Sequence, residues 1–375
     1  MRSTFLRAPA RSAARPDFLE RQFKRYHPRY QGAVRALAAR HARIADLALS
    51  FPTLLFALAA PRRGIDPARA LALAIDGAAL AEVAAAADVP LWLRRFPPEA
   101  LACPLAKLPN GKAFRRRIAN HLPSRKVAPV WLKAVSEMAE LADEPIALWI
   151  AGEIARDMES VKLDRLRRVG LWAWFSKQFL AFGSRLTAKR WEPNLRFRSA
   201  LDAADDWHTT IELHLNLGRE PIADPWLRPA HVCGYDFQPL SSASAIAEEA
   251  AAMRNCLRTY GGDLAHNGSR LWSMRRNGQR VATLRVAFWN REPLPNVVEL
   301  KGPENAHAPL EVWWAARQWL NTYDVSRVTP QGHRWGSVPL DRATWISLWR
   351  PYWVTKGRIP AWLPLAPSRR ALEAL

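Results

Sequence analysis

The residues best suited to chemistry lie in the C-terminal half of the chain, around a single cysteine. Cys256 stands between Arg254 and Arg258, and cationic neighbours favour the reactive thiolate form of a cysteine. Tyr260 follows one helical turn later and could donate or accept a proton. We therefore take Cys256 and Tyr260 as candidate catalytic residues. The alternative that the pattern favours is a buried structural cysteine, because Cys256 borders an apolar stripe and free cysteines are commonly buried.

A second polar set follows on the strands and loop after the cysteine. Arginine and lysine suit phosphate, and asparagine suits a base edge, so these residues predict an anion- or base-recognition patch. Gly302 belongs to the set because a turn directly after a strand often requires the φ freedom of glycine. The alternative is a solvated sheet face with charge pairs that contribute less than about 1 kcal/mol each. The candidate ligand-binding residues are Asn255, Arg275, Glu299, Lys301, Gly302 and Asn305.

Two helices and three strands must position these residues. Apolar residues recur at helical steps from Ile246 to Tyr260, with Ser244 as the predicted N-cap and Gly261-Gly262 as the stop. Asn277-Gly278 is a strong hairpin signal because both turn residues accept positive φ. Pro309 suits the first turn of a second helix, which reaches Tyr323. The predicted strands are 271–276, 280–289 and 296–301.

The ordered residues of this module resemble the PcfJ-like family of mobile-element and phage-associated proteins. The resemblance covers about residues 230–322 and includes Glu248-Glu249 and a strand ending in Arg275. Asn255 stands where a histidine is expected before the cysteine, and Ala250 stands where a glycine is common. The family implies a link to conjugative plasmids or phage-like elements. The stretches that carry the resemblance are Tyr235-Asp-Phe-Gln-Pro-Leu-Ser, Met253-Arg-Asn-Cys-Leu-Arg-Thr-Tyr260 and Glu299-Leu-Lys-Gly-Pro-Glu-Asn305.

Upstream of the module the pattern is helical almost throughout, and prolines separate the helices. The fold class predicted for the chain is α+β: a mostly α-helical N-terminal domain followed by a small module of helix, three-stranded antiparallel meander and helix. The length of 375 residues agrees with more than one domain. The predicted parts are a disordered basic arm over 1–16, a helical domain over 17–217, a linker or extended lead-in over 218–243, the α+β module over 244–323, and a Trp- and Pro-rich basic segment over 324–375.

Charge is the strongest signal in the composition. The chain has 55 Lys and Arg against 34 Asp and Glu, a net charge of +21, and this surplus predicts a nucleic-acid partner, DNA or RNA. An anionic membrane surface is the alternative polyanion. Arginines interleaved with aromatic residues suit backbone contacts plus base stacking. The candidate nucleic-acid-binding residues are Arg115, Arg116, Arg117, Arg190, Trp191, Arg196 and Arg198.

The sequence lacks the residue patterns that several classes of protein require. Three widely spaced cysteines, Cys103, Cys233 and Cys256, do not form a disulfide framework. The usual glycine-rich phosphate loop, the Gly-x-Ser-x-Gly motif and the His-Glu-x-x-His motif are missing. Neither a cofactor nor a metal is therefore predicted, and the expected location is the cytoplasm.

Three functions stay open at this level. The first is a non-enzymatic, nucleic-acid-binding accessory protein of a mobile element. The second is an enzyme that acts on nucleic acid or protein, with its site around Cys256, Tyr260, Arg275, Glu299 and Asn305. The third is a protein-interaction scaffold with an unknown partner, suggested by the 18 tryptophans.

Overall fold

The computed structural model describes residues 16–288, 294–324, 341–360 and 362. The chain divides into two compact units. One, here called the helical unit, comprises residues up to 174 together with 191–201; the other, the sheet unit, comprises 175–190 together with 202 onward. Residues 1–15 of the predicted basic arm and most of the predicted C-terminal segment lie outside the described residues.

Helices account for most of the described chain, and several begin with a proline in the first turn, where its missing N–H is not needed. Asp143 caps one of them by accepting a hydrogen bond from the Ile146 amide at 3.1 Å. None of the described helices is both long and apolar enough to cross a membrane. The helices up to residue 217 are α1 (Pro16–Phe23), α2 (Pro28–Ala38), α3 (Ala42–Ser50), α4 (Pro52–Ala59), α5 (Ala68–Asp76), α6 (Leu80–Ala86), α7 (Lys112–Ile118), α8 (Ala128–Leu141), α9 (Glu144–Arg156), α10 (Leu166–Ser176), α11 (Phe182–Arg185) and α12 (Phe197–Leu217).

The sheet unit contains a five-stranded antiparallel sheet in which each strand pairs with the next along the chain. The α+β fold class is confirmed, but the predicted count of three strands is wrong. Two short strands lie within the predicted linker or lead-in, and the second of them pairs with the predicted hairpin. The strands are β1 (Ala230–Val232), β2 (Tyr235–Pro239), β3 (Arg270–Arg276), β4 (Gln279–Ala287) and β5 (Asn296–Lys301).

The hairpin between β3 and β4 forms as predicted. Asn277 and Gly278 have φ values of 52° and 76°, the positive pair that a tight hairpin turn requires. Side chains alternate along β4, with Ala282, Leu284 and Val286 buried on one face. This face packs against the helix that follows the sheet.

A helix covers each face of the sheet. Helix α15 (Leu310–Asn321) places Trp319 in the core, where its ring stacks on Phe237 at a centroid distance of 4.5 Å. On the opposite face, Leu271 packs with Ile246 of helix α13 (Ala243–Met253). The other α-helices described after residue 217 are α14 (Gly261–Ala265) and α16 (Arg342–Lys356).

Helix α13 begins earlier in the chain than predicted and also ends earlier. Its N-cap is Ser242, whose hydroxyl accepts from the Ala245 amide at 3.1 Å, so the prediction of Ser244 is wrong. The helix stops at Arg254, which adopts a left-handed conformation with φ 50°. The predicted stop at Gly261-Gly262 is wrong because α14 begins there. A Cβ on Gly261 would lie 3.2 Å from the Cα of Leu213, so this glycine allows close packing.

A buried carboxylate ties α13 to the sheet. Glu249 is fully buried, and its Oε2 lies 2.7 Å from Nε of Arg280 and 3.7 Å from a terminal nitrogen of Arg275. A buried carboxylate needs such partners because desolvation otherwise disfavours its charge. The side chains of the two arginines stay partly exposed, which reduces the contribution of each ion pair to stability.

Replacing this carboxylate should destabilise the sheet unit. We expect Glu249→Gln to lower the free energy of unfolding by about 1–3 kcal/mol, because the charged hydrogen bond to Arg280 is lost. The matched control is Glu248→Gln on the exposed side of α13, with an expected change within about 0.5 kcal/mol. Urea unfolding followed by circular dichroism measures both. Equal midpoints for the two variants would contradict this role for Glu249.

Candidate functional site

The left-handed residue Arg254 brings the next residues of the chain to the sheet. Asn255 donates through Nδ2 to the Thr283 hydroxyl on β4 at 3.1 Å, and its Oδ1 accepts from the Leu257 amide at 3.4 Å. Cys256 is exposed, so the expectation of a buried structural cysteine is wrong. The helix ends before Cys256, and the residue therefore does not border the apolar stripe of α13.

The loop after β5 reaches the cysteine from the other side. Asn305 accepts from the Cys256 thiol with Sγ and Oδ1 3.8 Å apart. The positive φ values of this loop, 56° and 59°, belong to Glu304 and Asn305. Gly302 has φ −76° and ordinary extended backbone, so its predicted need for unusual φ freedom is wrong.

The two cations that were expected to flank the thiol are engaged elsewhere. A terminal nitrogen of Arg254 lies 2.5 Å from a carboxylate oxygen of Glu304, which ties the two loops together. Arg258 is largely buried and forms an ion pair with Asp206 of α12, and burial lowers the pKa of its guanidinium.

Tyr260 and Glu299 interact directly in this region. The Tyr260 hydroxyl donates to the Glu299 carboxylate, and the Arg285 guanidinium lies 4.7 Å from the centre of the tyrosine ring. Burial raises the pKa of Tyr260 to about 12, the hydrogen bond and charge of Glu299 act in the same direction, and Arg285 opposes them. Tyr260 is therefore a neutral hydroxyl at physiological pH.

These side chains line one small depression, here called the module site. Its volume of about 10 Å³ is enough for about one water, so a ligand would have to lie across its mouth. The depression offers a thiol, a neutral phenol, a carboxylate, two cations and two amides. Its lining residues are Asn255, Cys256, Leu257, Tyr260, Thr283, Leu284, Arg285, Glu299, Lys301 and Asn305.

The structure brings together most of the predicted catalytic and ligand-binding residues but not all of them. Arg275 does not line the module site, because it contacts Glu249 and donates to the Ser273 hydroxyl at 3.2 Å. Gly302 does not line it either. Sequence reasoning missed Thr283 and Arg285, which pair across the sheet with Lys301 and Glu299. Their spacing is a usable signal, since residues two apart on a strand lie on the same face.

The predicted nucleic-acid-binding residues belong to both units of the chain. Most of their side chains are exposed, and the ring of Phe179 lies 4.4 Å from the guanidinium of Arg190. Phe197, an aromatic residue between Arg196 and Arg198, is buried against Trp149. Arg117 and the half-buried Trp191 line a common cavity of about 380 Å³ in the helical unit. The exposed residues among those predicted to bind nucleic acid are Arg115, Arg116, Arg117, Arg190, Arg196 and Arg198.

A larger cavity in the helical unit concentrates positive charge, and sequence reasoning did not single it out. It has a volume of about 530 Å³, and we call it the arginine cleft. Four guanidiniums from three distant parts of the chain line it, and neither Arg95 nor Arg125 forms an ion pair with a described carboxylate. The lining residues are Arg25, Leu49, Ser50, Pro52, Arg94, Arg95, Phe96, Pro97, Pro98, Leu122, Pro123 and Arg125.

One carboxylate reduces the charge of the arginine cleft without cancelling it. Glu99 pairs with Arg25 through contacts of 2.8 and 3.2 Å. Burial acts to raise the pKa of Glu99, but the hydrogen bond from Arg25 and the charges of Arg25 and Arg125 together hold that pKa below its usual value. Arg94 donates to the Ser50 carbonyl at 3.2 Å, which fixes its side chain at the rim. The cleft therefore keeps a surplus of positive charge.

Comparisons with known proteins found no match to this chain among family models, curated proteins or solved structures. The resemblance to the PcfJ-like family stays a prediction from the residues. Among the described residues, no group of three or more His, Cys, Asp or Glu side chains is placed to hold a metal ion.

The raised pKa of Tyr260 should make stability depend on pH in the alkaline range. Because the folded state holds this proton more tightly than the unfolded state, the contribution is complete below about pH 10 and is lost as pH rises through about 12. We expect Tyr260→Phe to lose less stability than the wild type across this range. Urea midpoints at several alkaline pH values measure the difference. Parallel pH profiles for the two proteins would contradict the Tyr260–Glu299 interaction.

Proposed function

We propose that this protein binds nucleic acid, DNA or RNA, through phosphate contacts in the arginine cleft. The observation that supports the proposal best is the convergence of four guanidiniums on one concave surface with Glu99 as a single paired acid. Arginine presents donors in a planar fork that matches phosphate oxygens. Contacts of this kind position a nucleic acid without reading its sequence.

The shape of the cleft favours a nucleic acid over the anionic membrane surface that composition also allows. A membrane offers a broad plane of headgroups, which suits basic residues on an open face. The arginine cleft is instead concave, and Phe96, Pro97 and Pro98 form part of its wall. A phosphodiester backbone can enter such a cavity, and a bilayer surface cannot.

The biological setting in this proposal comes from the resemblance to the PcfJ-like family. We infer an accessory protein of a mobile element that acts in the cytoplasm, where the DNA or RNA of such an element is present. Binding in this role needs no chemical step.

Removing charge from the cleft should weaken binding and reduce its salt dependence. We expect the double variant Arg94→Gln/Arg95→Gln to bind a fluorescein-labelled oligothymidylate about tenfold more weakly at low salt. The slope of log affinity against log salt should fall by about 1.4, since each lost phosphate contact removes about 0.7 for single strands. Fluorescence anisotropy between about 50 mM and about 200 mM salt measures both quantities.

The matched control removes the same number of positive charges at positions outside the cleft. Arg63→Gln/Arg69→Gln removes two exposed arginines of the helical unit, and its affinity should stay close to that of the wild type. Equal losses in the two double variants would indicate a general charge effect and contradict the cleft. Wild-type binding only to vesicles of anionic lipid, and not to DNA or RNA, would overturn the proposal in favour of a membrane surface.

A second candidate function is supported by the module site. We propose as the alternative that the protein is an enzyme acting on nucleic acid or protein, with Cys256 as nucleophile and Tyr260 as proton donor. The exposed thiol lies 3.8 Å from Asn305, and Lys301 and Arg285 supply positive charge to the same depression. In this proposal the two cations assist the thiol as a nucleophile.

The reactivity of the thiols tests this second candidate. All three cysteines are exposed, so Cys103 and Cys233 serve as internal references. Cys256 should be alkylated by iodoacetamide several-fold faster than either reference, and Lys301→Gln should slow that reaction. Mass spectrometry of each modified peptide gives the rates. Equal rates at the three sites would exclude an activated nucleophile.

A further inference from the structure

The helical unit has a second cavity whose wall combines aromatic and cationic side chains. Its volume of about 380 Å³ lies within the usual range of ligand pockets, which begins at about 300 Å³. We call it the tryptophan cavity after Trp149 and Trp191. Arg117, His121 and Arg156 line it together with these two rings.

The aromatic part of the cavity is held in place by its neighbours. The Trp149 indole donates to the Leu195 carbonyl at 2.7 Å and stacks on the buried Phe197 ring. Trp191 meets Trp149 edge to face, with ring centroids 6.2 Å apart. Two indoles at a fixed right angle offer both a flat face and an edge to a planar ligand.

The carboxylates of the cavity already have structural partners. Glu144 accepts from the Asn110 and Gly111 amides at 2.8 Å each, and Glu153 accepts from the Phe197 amide at 2.8 Å and pairs with Arg156. Their charge is therefore compensated by hydrogen bonds within the protein. Arg117 forms no ion pair with a described carboxylate and stays available to an anion.

His121 adds a polar group that can meet a base edge. Its ring lies against α9, where a Cβ on Gly152 would come within 3.2 Å of the histidine Nδ1. Burial, followed by the charges of Arg117 and Arg156, lowers the pKa of His121. The ring is therefore neutral at physiological pH and has one donor and one acceptor nitrogen.

The two cavities meet at one point of the chain. His121 lines the tryptophan cavity, and the next residue, Leu122, lines the arginine cleft together with Pro123 and Arg125. Consecutive Cα atoms are about 3.8 Å apart, so the linings of the two cavities adjoin there. The segment 121–125 therefore contributes to the walls of both cavities.

We propose that the ligand is a single-stranded or locally unpaired nucleic acid, one of whose bases stacks on Trp191 in the tryptophan cavity while neighbouring phosphates contact the arginine cleft. The inference rests on the proposed function and specifies its substrate class. Aromatic side chains beside a basic groove are how proteins hold single strands without reading their sequence. A base inside a duplex is stacked and paired and cannot enter such a cavity.

The test compares the wild type with Trp191→Ala on single-stranded and duplex DNA. Trp191→Ala should bind oligothymidylate about tenfold more weakly and leave the affinity for a duplex of the same length unchanged. Trp191→Phe should restore most of the loss, because a phenyl ring still stacks. The control Trp314→Ala removes an exposed tryptophan of the sheet unit and should change neither affinity.

A second measurement uses the wild type and therefore does not depend on the folding of a variant. Photocrosslinking of the wild type to an oligonucleotide containing 4-thiouridine, followed by mass spectrometry, should place crosslinks on peptides with Trp149 or Trp191. Crosslinks confined to other parts of the chain would overturn the inference.

The outcomes separate this inference from the proposed function. If Trp191→Ala binds single strands like the wild type while Arg94→Gln/Arg95→Gln binds weakly, the base-stacking cavity is wrong and the arginine cleft stands. If both variants bind like the wild type, both proposals are wrong. A preference of the wild type for duplex over single strand would also contradict the inference.

Discussion

Apolar packing that holds four arginine side chains around one cleft is the feature on which the proposed role of the helical unit depends. Four guanidiniums line the arginine cleft, and each would be more stable farther from the others. Apolar packing holds them there: Leu93 and Phe96 are buried beside Arg94 and Arg95, and the Phe96 ring packs on Trp131 with centroids 5.6 Å apart. The core thus keeps the cleft in a state that a polyanion would stabilise.

In the sheet unit, backbone conformation and a buried carboxylate position the side chains of the module site. A left-handed residue at the end of α13 directs the thiol of Cys256 toward the loop after β5, where the side-chain oxygen of Asn305 accepts a hydrogen bond from it. Glu249 fixes the helix to the hairpin through Arg280, so the end of the helix has a defined place over the strands. The module site is shallow, and its chemistry depends on side chains that meet from two loops and two strands.

Features set by residues close together in the chain could be predicted from the sequence, and features set by distant residues could not. The Asn277-Gly278 turn and β5 were predicted because turn chemistry and alternation are local. The short strands β1 and β2 were taken for a lead-in because three to five residues carry little periodicity. Cys256 and Asn305 were predicted to converge, but Arg275 was misplaced since its partner Glu249 comes from another element. The arginine cleft was missed because its residues are distant in the chain, and no local pattern connects them.

The most direct test of the central claim is hydrogen–deuterium exchange of the full chain with and without single-stranded DNA. We predict slower exchange on binding in the segments around 91–98 and 119–125, which carry Arg94, Arg95 and Arg125. Protection confined to the sheet unit, or unchanged exchange throughout at saturating DNA, would contradict it.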